Sequence, residues 1–114
     1  MSLSIRFRIE PVRTLNFSVI NGTYMGVGTS LTNPARQIYI QNLTDVILMF
    51  SLNGIDDHFP LPANGYFLND ITTNKTNTQG FYLAEGERLY VKALSVNPTF
   101  GDVYFSVMYG SEEI

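Results

Sequence analysis

Short apolar runs recur along the chain, each closed by Asn, Gly, Pro or Asp. Residues 4–9 alternate Ile5, Phe7 and Ile9 against Arg6 and Arg8, a strand pattern with one buried face. Pro11 interrupts it, because proline has no N–H to give to a ladder. Residues 12–20 alternate less cleanly, with Leu15, Phe17 and Val19 on one side and Asn16 and Ser18 on the other. Asn21-Gly22 is the strongest short hairpin signal and predicts a turn into a strand over 23–27. Gly26 and Gly28 weaken that second strand and mark a bulge or a close backbone approach.

Residues 36–41 put Ile38 and Ile40 on one face and Gln37, Tyr39 and Gln41 on the other, ahead of a tight turn over 42–45. Residues 46–53 start apolar on both faces, as a central strand does. Asn53-Gly54 is a second hairpin signal. Pro60 and Pro62, two apart, force an extended edge piece, and Ala63-Asn64-Gly65 turns the chain again. A short strand over 66–68 leads to a long polar loop over 69–79 that carries Asp70 and Lys75. Strands over 81–83, 89–94 and 103–109 complete the set. No window keeps a helical apolar period without Gly or Pro inside it. The pattern predicts an all-β fold of about nine short strands, an antiparallel β-sandwich (jelly-roll-like) or a small barrel. Residues 1–11 form an extended N-terminal arm or edge strand, and residues 12–114 a single sandwich domain.

At 114 residues the chain is one domain. Hydrophobic residues make up 45%, which rules out a disordered chain. Charged residues make up only 15%, so the surface is poor in groups that resist desolvation against another protein. Asn and Thr used simply for turns would give the same figure. The net charge of −3 and the absence of clustered Lys and Arg argue against nucleic acid as a partner. The local basic excess, Arg6, Arg8 and Arg13, reads as a solvated strand face or as an arm lying on an acidic neighbour. No run is long enough to cross a membrane as a helix, so no membrane partner is expected. The first residues carry Arg6, Arg8 and Glu10 where a signal peptide would be apolar. The four Asn-X-Ser/Thr sequons are then by-products of Asn/Thr richness, and the lack of Cys fits synthesis in a reducing cytoplasm.

Candidate chemistry is sparse. Asp56-Asp57-His58 has the right residue types for a metal or a general base. Consecutive residues of an extended chain face opposite sides, however, and no second ligand cluster accompanies them. An Asx-rich turn after Asn53-Gly54, with Asp side chains capping amides, is the expectation there. His58 is the single imidazole, no nucleophile elbow is present, and Gly26-Val27-Gly28 lacks the Lys of a phosphate loop. No catalytic, metal or cofactor site is therefore expected. Seven Tyr and eight Phe remain. Tyr39, Tyr90 and Tyr104 each fall opposite the apolar row of their strand. They form a contact surface if one face of each sheet is open, and core if both are covered.

The runs "NPARQIYIQNLTD", "SLNGIDDHFPLPANGYFLNDITTNK", "FYLAEGERLYVKAL" and "GDVYFSVMYG", spanning 33–110, resemble a class of small β-rich proteins from tailed bacteriophages. The shared pattern is one of strands and turns: an Asn-Leu-Thr turn, a polar-Gly turn, an apolar-Pro strand with Ala-Asn-Gly, a Thr/Asn loop with Lys, and a Tyr-rich last strand. It covers about two thirds of the chain and leaves 2–32 unmatched. The resemblance implies a virion component made in the host cytoplasm, without catalytic residues. It would be a capsid cement or decoration protein, or a component of the head–tail junction or tail. Its partners would be the major capsid protein or connector proteins and other copies of itself. Arg6, Phe7 and Arg8 of the arm, Lys75 of the long loop, and Tyr39, Tyr90 and Tyr104 are the expected contact residues. The alternative is a carbohydrate-binding β-sandwich module that stacks sugars on its exposed aromatics.

Overall fold

The computed structural model describes residues 4–33, 35–70 and 86–113. Nine strands are present among them: β1 (Ser4–Ile9), β2 (Arg13–Asn16), β3 (Met25–Gly26), β4 (Gln37–Asn42), β5 (Leu48–Ser51), β6 (Phe59–Leu61), β7 (Tyr66–Asp70), β8 (Tyr90–Ala93) and β9 (Asp102–Glu113). A single 3-10 turn, Phe17–Val19, is the one helical piece of the described residues. Lys75 and the expected strand over 81–83 lie outside the described residues.

The chain is an all-β sandwich of two antiparallel sheets. One has the order β1-β9-β4-β7, with β2 also on β9; the other has β3-β8-β5-β6. The pairs β2·β9, β3·β8, β4·β7 and β5·β6 are nested, as in a ribbon folded back at the β5–β6 loop. Rolling that ribbon adds β4·β9 and β5·β8 and gives the jelly-roll order. Asn53-Gly54 sits in the loop at the ribbon's tip, with Gly54 at φ 76. Asn21-Gly22 does not make the hairpin its sequence predicts. β2 pairs with β9 of one sheet and β3 with β8 of the other, so residues 17–24 cross between sheets. Asn21 instead accepts from the Thr23 N–H at 2.8 Å, an Asx turn.

Strand alternation builds the core. Ile38 and Ile40 of β4 and Val103, Phe105 and Val107 of β9 face Leu48 and Phe50 of β5 and Val91 and Ala93 of β8, all buried. Phe59 bridges the layers, stacked on Phe50 at 5.6 Å and tilted at 31° against Phe67 at 4.7 Å between ring centroids. Each such aromatic contributes about 1.5–3 kcal/mol by burial. Pro60 lies on β6, an edge strand, where a missing N–H costs nothing. Asn42, fully buried at the end of β4, ties the layers together. Its Nδ2 donates to the carbonyls of Val46, Leu61 and Pro62 at 2.9, 3.0 and 3.1 Å, while its Oδ1 accepts from Thr44.

β1 and β2 run along the same side of β9, separated by a bulge. Ile9 pairs with Met108 and Arg13 with Phe105, so three residues, Glu10 to Val12, oppose two. Alternation after the outward Ile9 turns Glu10 inward, and the extra residue turns Arg13 inward as well, leaving them 4% and 7% exposed. Arg13, expected in a basic surface cluster, is thus buried. Its Nη2 meets Glu10 Oε1 at 2.7 Å and donates to the Ser30 carbonyl, and its Nε donates to that of Thr29. Asn33 Nδ2 donates to the other Glu10 oxygen at 3.0 Å. Burial pushes the Glu10 carboxyl up, but the hydrogen bonds from Arg13, Asn33 and Thr32 outweigh it and hold the group below its ordinary value.

Candidate interaction surface

The outer face of the β1-β9-β4-β7 sheet brings several exposed apolar side chains, Ile9, Tyr66 and Leu68, into one area. Alternation points Gln37, Tyr39 and Gln41 of β4 and Tyr104, Ser106 and Met108 of β9 away from the core. Register then sets them in rows. Leu68, Tyr39 and Ser106 form one row; Tyr66, Gln41, Tyr104 and Thr14 the next; Gln37, Met108 and Ile9 a third. Tyr39 and Tyr66 meet edge-to-face at 5.9 Å. Ile9, Tyr66 and Leu68 are 67%, 65% and 59% exposed. Together with Tyr39, Ser106 and Met108 they line a shallow depression of about 520 Å³. None of these six side chains is charged, so a partner laid on them strips water from no ion.

The expected contact residues separate in space. Tyr39 and Tyr104 share this face, half-buried by their neighbours. Tyr90 lies on the outer face of the opposite sheet, with the Arg88 guanidinium 5.9 Å from its ring and Gly54 packed over it. A Cβ at Gly54 would already touch that ring at 3.3 Å, so Tyr90 supports the β5–β6 loop. Arg8 is exposed on β1, opposite Tyr109; Arg6 and Phe7 hold backbone positions opposite Ser111 and Gly110. Sequence reasoning missed Tyr66, Leu68, Met108 and Ile9. The alternation of Ile5, Phe7 and Ile9 predicts a buried face, but Ile9 lies in the outward row with Met108 and Gln37 and is exposed, while the next residue, Glu10, turns inward. Tyr66-Phe67-Leu68 is apolar throughout, so alternation alone gave no sign of which side faces out.

Asp56, Asp57 and His58 do not converge. Asp56 accepts from Asn53 Nδ2 at 2.9 Å, and His58 Nδ1 accepts from the Leu52 N–H at 2.9 Å, which places any proton of the neutral ring on Nε2. Asp57 takes the Tyr24 hydroxyl at 2.5 Å and Lys92 Nζ at 3.1 Å. Those two contacts draw its carboxyl below the ordinary value. Burial and the same hydrogen bond push the Tyr24 hydroxyl up, so it stays protonated. The loop cap is Asn53, whose Oδ1 accepts from the Ile55 and Asp56 amides, and not an aspartate. Among the described residues no group of three or more His, Cys, Asp or Glu is placed to hold a metal. Gly26 lies under the Arg88 guanidinium, whose Nε donates to the Gly28 carbonyl at 2.6 Å; this is the close backbone approach that the glycines mark. Comparison with protein-family models, curated proteins and solved structures found no match.

Proposed function

We propose that this chain is a non-enzymatic virion structural protein of a tailed bacteriophage, a cement or decoration protein that binds capsid subunits and other copies of itself. The observation that carries this reading is the charge-free aromatic face built from Tyr39, Tyr66, Leu68, Met108 and Ile9. Three of its side chains, Ile9, Tyr66 and Leu68, are more than half exposed, and contiguous apolar exposure on a monomer is often functional. The jelly roll is also used by capsid proteins, an analogy of fold that supports the reading without carrying it. In this role the chain lays a rigid, low-entropy aromatic surface on the capsid subunit, and symmetry repeats the contact many times.

The test is the copy number of the chain in purified particles, measured by mass spectrometry against the major capsid protein. Equimolar amounts support a cement protein. A small fixed number, set by one ring, moves it to the head–tail junction or tail. Absence from particles overturns the reading. Tyr66→Ser with Leu68→Ser should abolish incorporation while leaving the thermal midpoint nearly unchanged. The exposed Tyr66 ring beside the depression favours a second reading, a glycan-binding jelly roll, since lectins use this fold and stack sugars on such rings. Glycan-array binding lost in the same double variant would favour it.

A further inference from the structure

Three Asn-Gly steps occur in the chain, at 21–22, 53–54 and 64–65, and all three asparagines are exposed. Such a step is reactive because glycine has no Cβ to shield its peptide nitrogen from the amide carbon of the preceding side chain. The surroundings of each step decide whether it can react. At Asn53-Gly54 the Gly54 N–H donates to Ser51 Oγ at 2.9 Å. The Asn53 amide also donates to the Asp56 carboxylate at 2.9 Å, an anion that opposes negative charge on the reacting groups. At Asn64-Gly65 the Gly65 N–H donates to the Pro62 carbonyl at 2.8 Å, and the Pro62 ring packs closely over Gly65. Either nitrogen must give up its hydrogen bond before it can attack. At Asn21-Gly22 neither restraint is present. Among the described residues the Gly22 N–H has no acceptor, and a Cβ there would meet nothing within 4 Å.

The turn at Asn21 also activates both reacting groups. Asn21 Oδ1 accepts from the Thr23 N–H at 2.8 Å, which closes a ring containing Asn21 Cγ and the Gly22 nitrogen and holds them on one side of the chain. The same donor polarises the side-chain carbonyl and meets the oxyanion that forms on attack. The Asn21 main-chain carbonyl accepts from the Ala93 N–H at 2.7 Å, which stabilises negative charge in the peptide unit shared with Gly22 and favours loss of the Gly22 proton. We propose that Asn21-Gly22 is a self-modification site, the one Asn-Gly step of the three that reacts in the folded chain. Solvent base takes the Gly22 proton, the nitrogen bonds to Asn21 Cγ, the side-chain amine leaves as ammonia, and a cyclic imide remains. Water then opens the imide at either carbonyl, giving aspartate or isoaspartate, in which Cβ has entered the main chain. Water is consumed and ammonia released, with no oxidation or reduction. Each event adds a negative charge at the crossing between the two sheets, independently of any capsid partner.

Peptide mapping by mass spectrometry tests this on the purified full chain held in mildly alkaline buffer. Isoaspartate is read separately, by methyl transfer from labelled S-adenosylmethionine with an isoaspartyl methyltransferase. The folded sample should convert at Asn21 and keep Asn53 and Asn64 as amides. The same chain held in urea should convert at all three steps at comparable rates, because the bonds to Gly54 and Gly65 are then lost. Conversion at Asn21 should quicken as pH rises, since the nitrogen attacks as its anion. Isoelectric focusing should show a more acidic form growing in step with it. Gly22→Ala adds a methyl in open space at a position without a left-handed φ, so the thermal midpoint should hold while conversion slows by an order of magnitude or more. Equal conversion at the three steps of the folded chain overturns the proposal. So does an Asn21 that survives folded while the urea sample converts, or a folded Gly22→Ala that converts as fast as the wild type.

Discussion

Replacing Glu10 with Ala should be among the most damaging changes in the molecule. Among the described residues the carboxylate is the one anionic partner of a guanidinium that is 7% exposed and otherwise held by two carbonyls, those of Thr29 and Ser30. Arg13 Nη1 has no partner among the described residues, so little there remains to compensate the charge. Stranding a buried cation in this way costs about 3–5 kcal/mol. A domain of this length has roughly 6–17 kcal/mol in all, so the loss is a large fraction of it. The midpoint of thermal unfolding should fall by roughly 10–20 °C. Urea titrations of Glu10→Ala, Arg13→Met and the double variant form the decisive cycle. The double variant should cost less than Glu10→Ala alone, because no charge is left buried. A Glu10→Ala cost near zero, or a double variant equal to the sum of the singles, would refute this account of the pair.

The same pair gives a pH dependence of known sign. The Glu10 carboxyl is held below its ordinary value of 4.5 in the folded chain. The unfolded chain therefore takes up its proton first as the solution is acidified. Stability from Glu10 is complete above the ordinary value and is lost as pH falls through the lower folded one. Asp57 and Asp45 are shifted the same way, but both are exposed and screened by solvent. Subtracting the Glu10→Ala profile from the wild type isolates the Glu10 contribution; a flat difference below pH 4.5 would contradict the assignment.

Two further substitutions probe the crossings between sheets. Asn42→Leu keeps the volume but removes the donor shared by the carbonyls of Val46, Leu61 and Pro62 and the acceptor of the Thr44 N–H; Val46 keeps the Thr44 hydroxyl and Pro62 the Gly65 N–H, so the cost should be about 1–3 kcal/mol in urea unfolding. Gly101 has φ 100, and a Cβ there would run into the Leu43 carbonyl and the Thr44 backbone, so Gly101→Ala should lose roughly 3 kcal/mol, read as a lowered midpoint of thermal unfolding.

What the sequence revealed was local. Pro60 and Pro62 marked an edge strand, Asn53-Gly54 marked the turn that proves to be the tip of the rolled ribbon, and the alternation around Tyr39 and Tyr104 set both opposite the apolar row of their strands, leaving open whether that side was covered. What it hid was pairing between distant segments. The residues after Leu15 look like half of a hairpin because Asn21-Gly22 follows them, yet the partner of Leu15 is Val103. Asn42 was legible as a turn residue, but not as the buried amide that holds three carbonyls, because those arrive from β6 and the β4–β5 turn. Tyr90 follows the same alternation rule as Tyr39, and only strand order shows that it belongs to the opposite face. A surface assembled from rows across three strands leaves no spacing in any one of them.

The bulge at Glu10–Val12 connects stability to the surface. Without the extra residue, strand alternation from Ile9 outward would turn Arg13 outward as well, away from Glu10 and from the carbonyls of Thr29 and Ser30. With it, Glu10 and Arg13 both enter the interior, β2 keeps Leu15 against the core, and Ile9 stays on the outer face beside Met108. One inserted residue thus decides that β1 follows β9 with Ile9 extending the apolar face. A charge pair is a costly way to stabilise a core, since apolar residues of the same volume often do as well or better. Its value here is positional: it locks the register of β1 on β9, and that register sets Ile9 beside Met108 on the outer face.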